Sequence, residues 1–239
     1  MQLYQGDCLK IMNDIPDKSV DMILCDLPYG TTACKWDSVI PFDLLWLNYT
    51  RIIKSGGVIA LFGSEPFASK LRMSCMEYYR YDWVWCKPKG SGFFNAKKMP
   101  LKNHETISIF YKSLPTYNPQ MTVGKPYKAK QGYVGEYLNA GNCFKPVVTV
   151  NTGKRYPVSV QNFKIETGLH PTQKPLALCE YLIKTYTNEG ETVLDNCMGS
   201  GTTGVACINT KRDFIGIELS KKYLEIAKNR IEAAMNSTP

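Results

Sequence analysis

Val20-Asp21-Met22-Ile23-Leu24-Cys25-Asp26-Leu27-Pro28-Tyr29-Gly30 decides how the rest of this chain is read. The run from Val20 to Cys25 is short and mostly apolar, the pattern of a buried strand. Pro28 has no N–H to give to a sheet ladder and Gly30 permits a turn, so the strand must stop there. What remains at its carboxyl end is the Asp26 carboxylate, the Pro28 carbonyl and the Tyr29 ring. In open α/β sheets, ligands bind at that end of the strands.

Working outward, strands and helices alternate. Leu3-Tyr4-Gln5 reads as a strand, followed by a helix that begins near Asp7, a residue type suited to an N-cap. An amphipathic helix is expected from about Pro41 to Ile53, ended by Gly56-Gly57, and then a buried strand, Val58 to Phe62. A helix over Glu65 to Met76 and strands at Tyr81–Trp85 and Thr106–Tyr111 follow, with Lys87 to Gly92 read as a mobile basic loop. Beyond residue 170, Leu178, Tyr181, Leu182 and Tyr186 recur at helical spacing, and Thr192-Val193-Leu194 is a strand ending at Asp195. A glycine loop turns into a helix that runs to about Thr210, Phe214–Ile217 is a strand ending at Glu218, and a last helix covers about Lys221 to Met235. This alternation implies an α/β fold with a doubly wound, mostly parallel sheet.

From about Leu114 to Leu169 the pattern changes to Gly, Pro, Tyr, Lys and Asn without helical period. The chain therefore divides into residues 1–113, an irregular insert at 114–169, and residues 170–239. The formal charge of +8 is concentrated in the middle. Lys87 to Lys174 holds 14 Lys and Arg against three acids, while the remainder has 15 basic and 18 acidic residues. A basic middle on a near-neutral scaffold points to a polyanion, nucleic acid first. Within it, Lys87, Lys89, Lys125, Lys128, Lys130, Lys154 and Arg155 are candidates for phosphate contacts, and the interleaved tyrosines for stacking on bases. The nine cysteines are scattered, with no C-x-x-C and only two histidines, which argues for reduced thiols in a cytoplasmic protein and against a zinc site. No apolar run approaches the ~20 residues that span a bilayer, and the N-terminus lacks the features of a signal peptide.

Gly199-x-Gly201-x-x-Gly204 fits the dinucleotide fingerprint, and Glu218 ends the following strand at nearly the expected distance. Glycines let the backbone approach a ligand, and a carboxylate at the next strand end accepts from ribose hydroxyls. Both NAD and any other adenosine cofactor satisfy that description. No Lys-Ser/Thr follows the last glycine, so the loop is not a Walker P-loop. Asp195, just before it, would repel a pyrophosphate and suits a cationic sulfonium.

Together these residues resemble the DNA amino-methyltransferases that use S-adenosylmethionine, in their permuted β class, where the DPPY-type motif precedes the recognition region and the cofactor motif comes last. Asp26-Leu27-Pro28-Tyr29 resembles the DPPY motif, and Asp195 to Thr203 is similar to D-P-F-x-G-S-G-T-T. Gly6-Asp7-Cys8, His104-Glu105 and His170 to Pro175 also match family segments. Two positions depart: Leu27 replaces the first proline, and Asn196-Cys197 replace Pro-Phe, which removes a cofactor-packing aromatic. The resemblance implies a Rossmann-like methyltransferase fold and a catalytic set of Asp26, Pro28 and Tyr29, with Tyr29 stacked on a flipped base. It implies that S-adenosylmethionine is held by Asp7 and Cys8 near the adenine, and by Thr172, Gln173 and Lys174 near its carboxylate. Asp26, Asp195, Asn196, Cys197, Gly199, Ser200, Gly201, Thr202, Thr203, Glu218 and Leu219 complete the implied cofactor set, and no metal is implied. Double-stranded DNA is the implied partner, with the insert as target-recognition region.

Asp at the head of the motif favours adenine N6 over cytosine N4. Two other classes compete: an NAD-dependent oxidoreductase, which leaves the Asp26 motif and basic insert unexplained, and an inactive nucleic-acid binder. The sequence leaves the oligomeric state open between monomer and homodimer, and gives no recognition site.

Overall fold

The computed structural model describes residues 1–31, 37–130, 148–166, 168 and 173–237. In chain order the elements are β1 (Gln2–Gln5), α1 (Cys8–Ile11), β2 (Val20–Cys25), α2 (Phe42–Ile52), β3 (Ile53–Gly63), α3 (Phe67–Met73), β4 (Tyr79–Ser91) and β5 (Lys102–Phe110). Then come β6 (Thr122–Val123), β7 (Tyr127–Lys130), β8 (Val148–Asn151), β9 (Lys154–Arg155), β10 (Val160–Asn162), α4 (Leu176–Tyr186), β11 (Thr192–Asp195), α5 (Thr202–Asn209), β12 (Asp213–Glu218) and α6 (Lys221–Ser237). They form two compact units. The larger comprises Met1–Asn118 and Ser159–Pro239, and the smaller Pro119–Val158.

The larger unit is built on an eight-stranded sheet of order β1-β12-β11-β2-β3-β5-β4-β10. β5 runs antiparallel to both of its neighbours and every other pairing is parallel. Central strands are buried on both faces, which is why they read as continuous apolar runs. Met22, Leu24, Val58, Ala60 and Phe62 face a layer with α4, α5 and α6 residues such as Leu182, Ala206 and Ile231. Ile23, Cys25, Ile59 and Leu61, the alternate positions, face Leu45, Tyr49 and Ile52 of α2 and Phe67 and Leu71 of α3. A register shift between Val20 and Met22 sets this alternation against β3.

Three expectations change. Helix α2 ends at Ile52 and β3 starts at once, so Gly56-Gly57 lie within the strand rather than ending the helix. The helix expected over Glu65 to Met76 is confined to Phe67–Met73. Lys87 to Ser91, expected as a loop, continues β4, with Ser91 in register with Lys102 of β5. Proline and glycine hid this strand, and the pairing with β5 overrides local propensity.

The insert, expected to be irregular, contains short ladders. β6 pairs with β9 and β7 with β8, both antiparallel, within the smaller unit. β10 belongs to the larger unit, where it adds to the edge of β4. Strands of two to four residues are too short to display a period. Among the described residues, no helix is long and apolar enough to cross a membrane, and no His/Cys/Asp/Glu cluster could hold a metal ion.

Candidate active site

A cavity of about 560 Å³ opens at the carboxyl edge of the larger unit's sheet, where the chain leaves β2 for α2 on one face and β11 for α5 on the other. The chain leaving β1 supplies Gly6, Asp7 and Cys8, and that leaving β2 supplies Asp26 to Tyr29. The ends of β11 and β12 contribute Asp195 to Ser200, Glu218 and Leu219. Phe62 lies one residue before the end of β3, Trp85 and Lys87 lie in β4, and Glu105 reaches in from antiparallel β5. The motif of the second strand and the glycine loop, about 170 positions apart, therefore border one cavity.

Asp26 is held from two sides. Its Oδ1 accepts from the Tyr29 hydroxyl at 2.7 Å, and its Oδ2 accepts from the Lys174 ammonium. Lys174 Nζ also lies 3.5 Å from Glu105 Oε2, and Glu105 Oε1 accepts from Lys87. The four charges alternate in sign from Lys87 through to Asp26. Burial pushes the Asp26 carboxyl above its ordinary range, against the pull of Lys174. Burial would lower Lys174, but Asp26 and Glu105 outweigh it and hold the ammonium above its usual value. Desolvation opposes ionisation of Glu105 too, yet Lys174 and Lys87 hold it below the ordinary range. Tyr29 stacks on Phe67 with ring centroids 4.8 Å apart. The turn after it is clamped by buried Asp37, whose oxygens accept from Gly30 N at 2.8 Å and Thr31 N at 2.9 Å.

At the other end, Asp195 is buried, accepting from Cys197 N at 3.1 Å and the Thr203 hydroxyl at 2.6 Å. Burial pushes its pKa up to about 6. Glu218 accepts from Gly199 N at 2.9 Å and Ser220 N at 2.8 Å, and burial raises it as well. Asn196 accepts from the Tyr49 hydroxyl at 2.5 Å. Asp7 caps α1 by accepting from Leu9 N at 2.9 Å. Where the resemblance lost an aromatic at Cys197, Tyr223 of α6 lines the cavity instead.

Most of the residues singled out in the sequence meet here: Asp7, Cys8, Asp26, Pro28, Tyr29, Gln173, Lys174, Asp195, Asn196, Cys197, Gly199, Ser200, Thr202, Thr203, Glu218 and Leu219 all line the cavity. Thr172 lies outside the described residues. Gly201 does not line it. With φ of +77° and room for a Cβ only 2.8 Å from that of Ala227, it lets the loop close onto α6. Lys174 contacts Asp26 and Glu105, a pairing no local spacing could show.

Two basic residues do other work than expected. Lys87, read as a phosphate contact, is turned into the cavity and committed to Glu105. Arg155 is an internal strut of the smaller unit, donating to Asn151 and to the Lys125 carbonyl, with its guanidinium 4.7 Å from the Tyr127 ring centroid. Lys89, Lys125, Lys128 and Lys154 are exposed, and the side chain of Lys130 lies outside the described residues. The sequence reading missed Phe62, Trp85 and Glu166 as cavity residues. They sit on strands or follow the short β10, and no motif marks them.

The model of the DNA methylase family N6_N4_Mtase matches residues 20–229. The type II methyltransferase M.HpaI of Haemophilus parainfluenzae is 29% identical over 259 residues, covering 98% of this chain and 75% of that protein. M2.DpnII of Streptococcus pneumoniae is 28% identical, over 98% of this chain and 90% of its own length. The crystal structure of the M1.HpyAVI–SAM complex superposes with a TM-score of 0.64 at 27% identity, covering 96% of this chain and 98% of that one. The cytosine-N4-specific PvuII DNA methyltransferase, 15% identical, shares the fold with a TM-score of 0.68 over 98% of this chain and 90% of its own. The chain belongs to the DNA methylase family, the S-adenosylmethionine-dependent amino-methyltransferases of DNA.

Proposed function

We propose that this protein transfers the methyl group of S-adenosylmethionine to the exocyclic N6 of an adenine flipped out of double-stranded DNA at a specific site, in the cytoplasm. The reading is carried by one observation: Asp26 and the Gly199–Glu218 end border the same cavity.

The cavity chemistry fits the cofactor. Lys87 and Lys174 are the cationic side chains among its described lining residues, and both are committed to carboxylates. Asp7, Asp195 and Glu218 therefore present negative charge, which attracts a sulfonium and an α-ammonium and repels the pyrophosphate of NAD. Gln173 donates its amide to Glu166 at 3.3 Å, while its Oε1 is buried with no partner among the described residues. That acceptor is suited to the cofactor's ammonium, and Glu218 to its ribose hydroxyls. S-adenosylmethionine supplies an electrophilic methyl group on sulfur.

An adenine amino nitrogen is a poor nucleophile because its lone pair is delocalised into the ring. Asp26 and the Pro28 carbonyl accept its two N–H bonds, which turns the nitrogen toward tetrahedral geometry and frees the lone pair for in-line attack. Positioning and electrostatics supply most of the rate. Asp26 also stands where the proton released after methylation can be taken up. Tyr29 provides an aromatic face for the base, offsetting the few kcal/mol of unstacking. Asp at the motif head favours adenine over cytosine.

Nucleoside analysis by mass spectrometry after incubation with unmethylated genomic DNA tests the reading. The expected product is N6-methyladenine. Asp26→Asn should lower transfer by about 10²-fold or more, with calorimetric S-adenosylmethionine affinity within a few-fold of wild type. N4-methylcytosine would overturn the choice of base, and NAD binding in place of S-adenosylmethionine the choice of class.

A further inference from the structure

The β4–β5 hairpin feeds the cavity at its base and carries an unexplained tip. Trp85, Lys87 and Glu105 line the site, but the hairpin runs on past them, through a register shift between Cys86 and Ser91, to the Ser91–Lys102 pair, roughly 10 Å beyond Glu105 at ~3.3 Å per residue. The Ser91 hydroxyl donates to the Lys102 carbonyl at 3.0 Å, and a Cβ on Gly90 would lie 2.7 Å from Leu101, so the two arms are closely packed. Gly92, at φ +89°, opens a tight turn over Phe93–Asn95. Asn95 N donates to the Gly92 carbonyl at 2.9 Å, Ala96 N to Phe93 at 3.1 Å and Lys98 N to Asn95 at 2.8 Å.

This ordered turn holds two aromatic rings in water. Phe93 is 70% exposed and Phe94 is fully exposed, and every residue from Ser91 to Leu101 is exposed. Exposed Lys89, Lys97 and Lys98 flank them in the sequence, and no acid occurs between Lys87 and Lys102. A solvated loop would not place its largest apolar side chains at the tip.

We propose that Phe93 and Phe94 form a wedge that enters the base stack of duplex DNA beside the target nucleotide, with Lys89, Lys97 and Lys98 on the neighbouring phosphates. The inference rests on the reading of the cavity as a pocket for a flipped base. Extruding a base leaves a gap in the stack, and an apolar ring inserted there holds the duplex open. Lysines around such a ring fix its register without reading sequence. An aromatic and basic tip also suits an anionic lipid surface, but its rise from the rim of the cavity favours DNA.

The test uses the full chain carrying F93A/F94A, with F93L/F94L as the apolar rescue. Tritiated methyl transfer is measured on unmethylated genomic DNA, native and heat-denatured, alongside calorimetric S-adenosylmethionine binding and cosedimentation with phosphatidylglycerol vesicles. The wedge predicts at least a ten-fold loss on native DNA for the alanine variant, recovered at least in part by leucine, with cofactor binding unchanged. On denatured DNA the loss should shrink below three-fold. If denatured DNA is no substrate for wild type, the leucine rescue on native DNA decides. Undiminished transfer to native DNA, equal loss on both forms, or vesicle binding lost while methylation persists would each overturn the wedge. A wild-type protein that binds S-adenosylmethionine but methylates neither DNA would overturn the reading of the cavity itself, and the wedge with it.

Discussion

The Lys174 ammonium donates to the Asp26 carboxylate, tying the end of β2 to the segment before α4 across 148 positions of chain. Both side chains are largely buried, and Glu105 and Lys87 extend the pair into a row of alternating charges. A partner on a distant element thus opposes the rise that burial imposes on the carboxylate at the centre of the proposed chemistry.

Lys174→Met leaves Asp26 and Glu105 facing each other without their shared cation. Removing one partner of a buried pair costs about 3–5 kcal/mol, to be read from denaturant unfolding. Asp26 would then titrate higher still, so the rise of kcat with pH should move to more alkaline pH. Adding Asp26→Asn to Lys174→Met should recover part of the stability. A profile that does not move would remove Lys174 from the positioning of Asp26.

Glu218 is oriented by two backbone amides, and Glu218→Gln keeps its shape while removing its charge. Hydrogen bonds to charged groups contribute about 1.5–3 kcal/mol, so S-adenosylmethionine affinity by calorimetry should weaken roughly 10- to 100-fold. At saturating cofactor, kcat should change little.

Asp195 titrates near 6 because it is buried, and a cationic cofactor favours its charged form. Cofactor affinity should therefore rise as pH increases through about 6, and Asp195→Asn should flatten that rise. Stability moves the other way. With the folded pKa above the unfolded value of about 3.9, the folded chain binds the extra proton, and this contribution is lost as pH climbs from about 4 to about 6. Thermal melts of wild type and Asp195→Asn across that window check the sign.

Lys125, Lys128 and Lys154 are exposed on the smaller unit, whereas Arg155 is bonded within it. Replacing the three lysines by glutamine should weaken DNA binding and reduce the slope of log K against log salt by up to about 3, near 0.9 for each phosphate no longer neutralised. Arg155→Ala should instead loosen the β6–β9 ladder, seen as faster proteolysis of that unit.

Local sequence settled what depends on short-range chemistry. Pro28 had to end β2, the apolar runs had to be doubly buried strands, and Gly199 to Gly204 had to form a loop followed by a helix. Those constraints act over a few residues, so the fold class and the two motifs were legible. The place of Gly56-Gly57 inside β3, the extension of β4 through Lys87-Pro88-Lys89 and the short ladders after residue 120 were not, because each depends on a partner strand supplied from elsewhere. The same holds for charge. Composition marks Lys87, Arg155 and Lys174 equally as cations, and only the tertiary structure assigns two of them to buried carboxylates and one to a strut. Coulomb attraction acts through space, and spatial neighbours are decided by strand order.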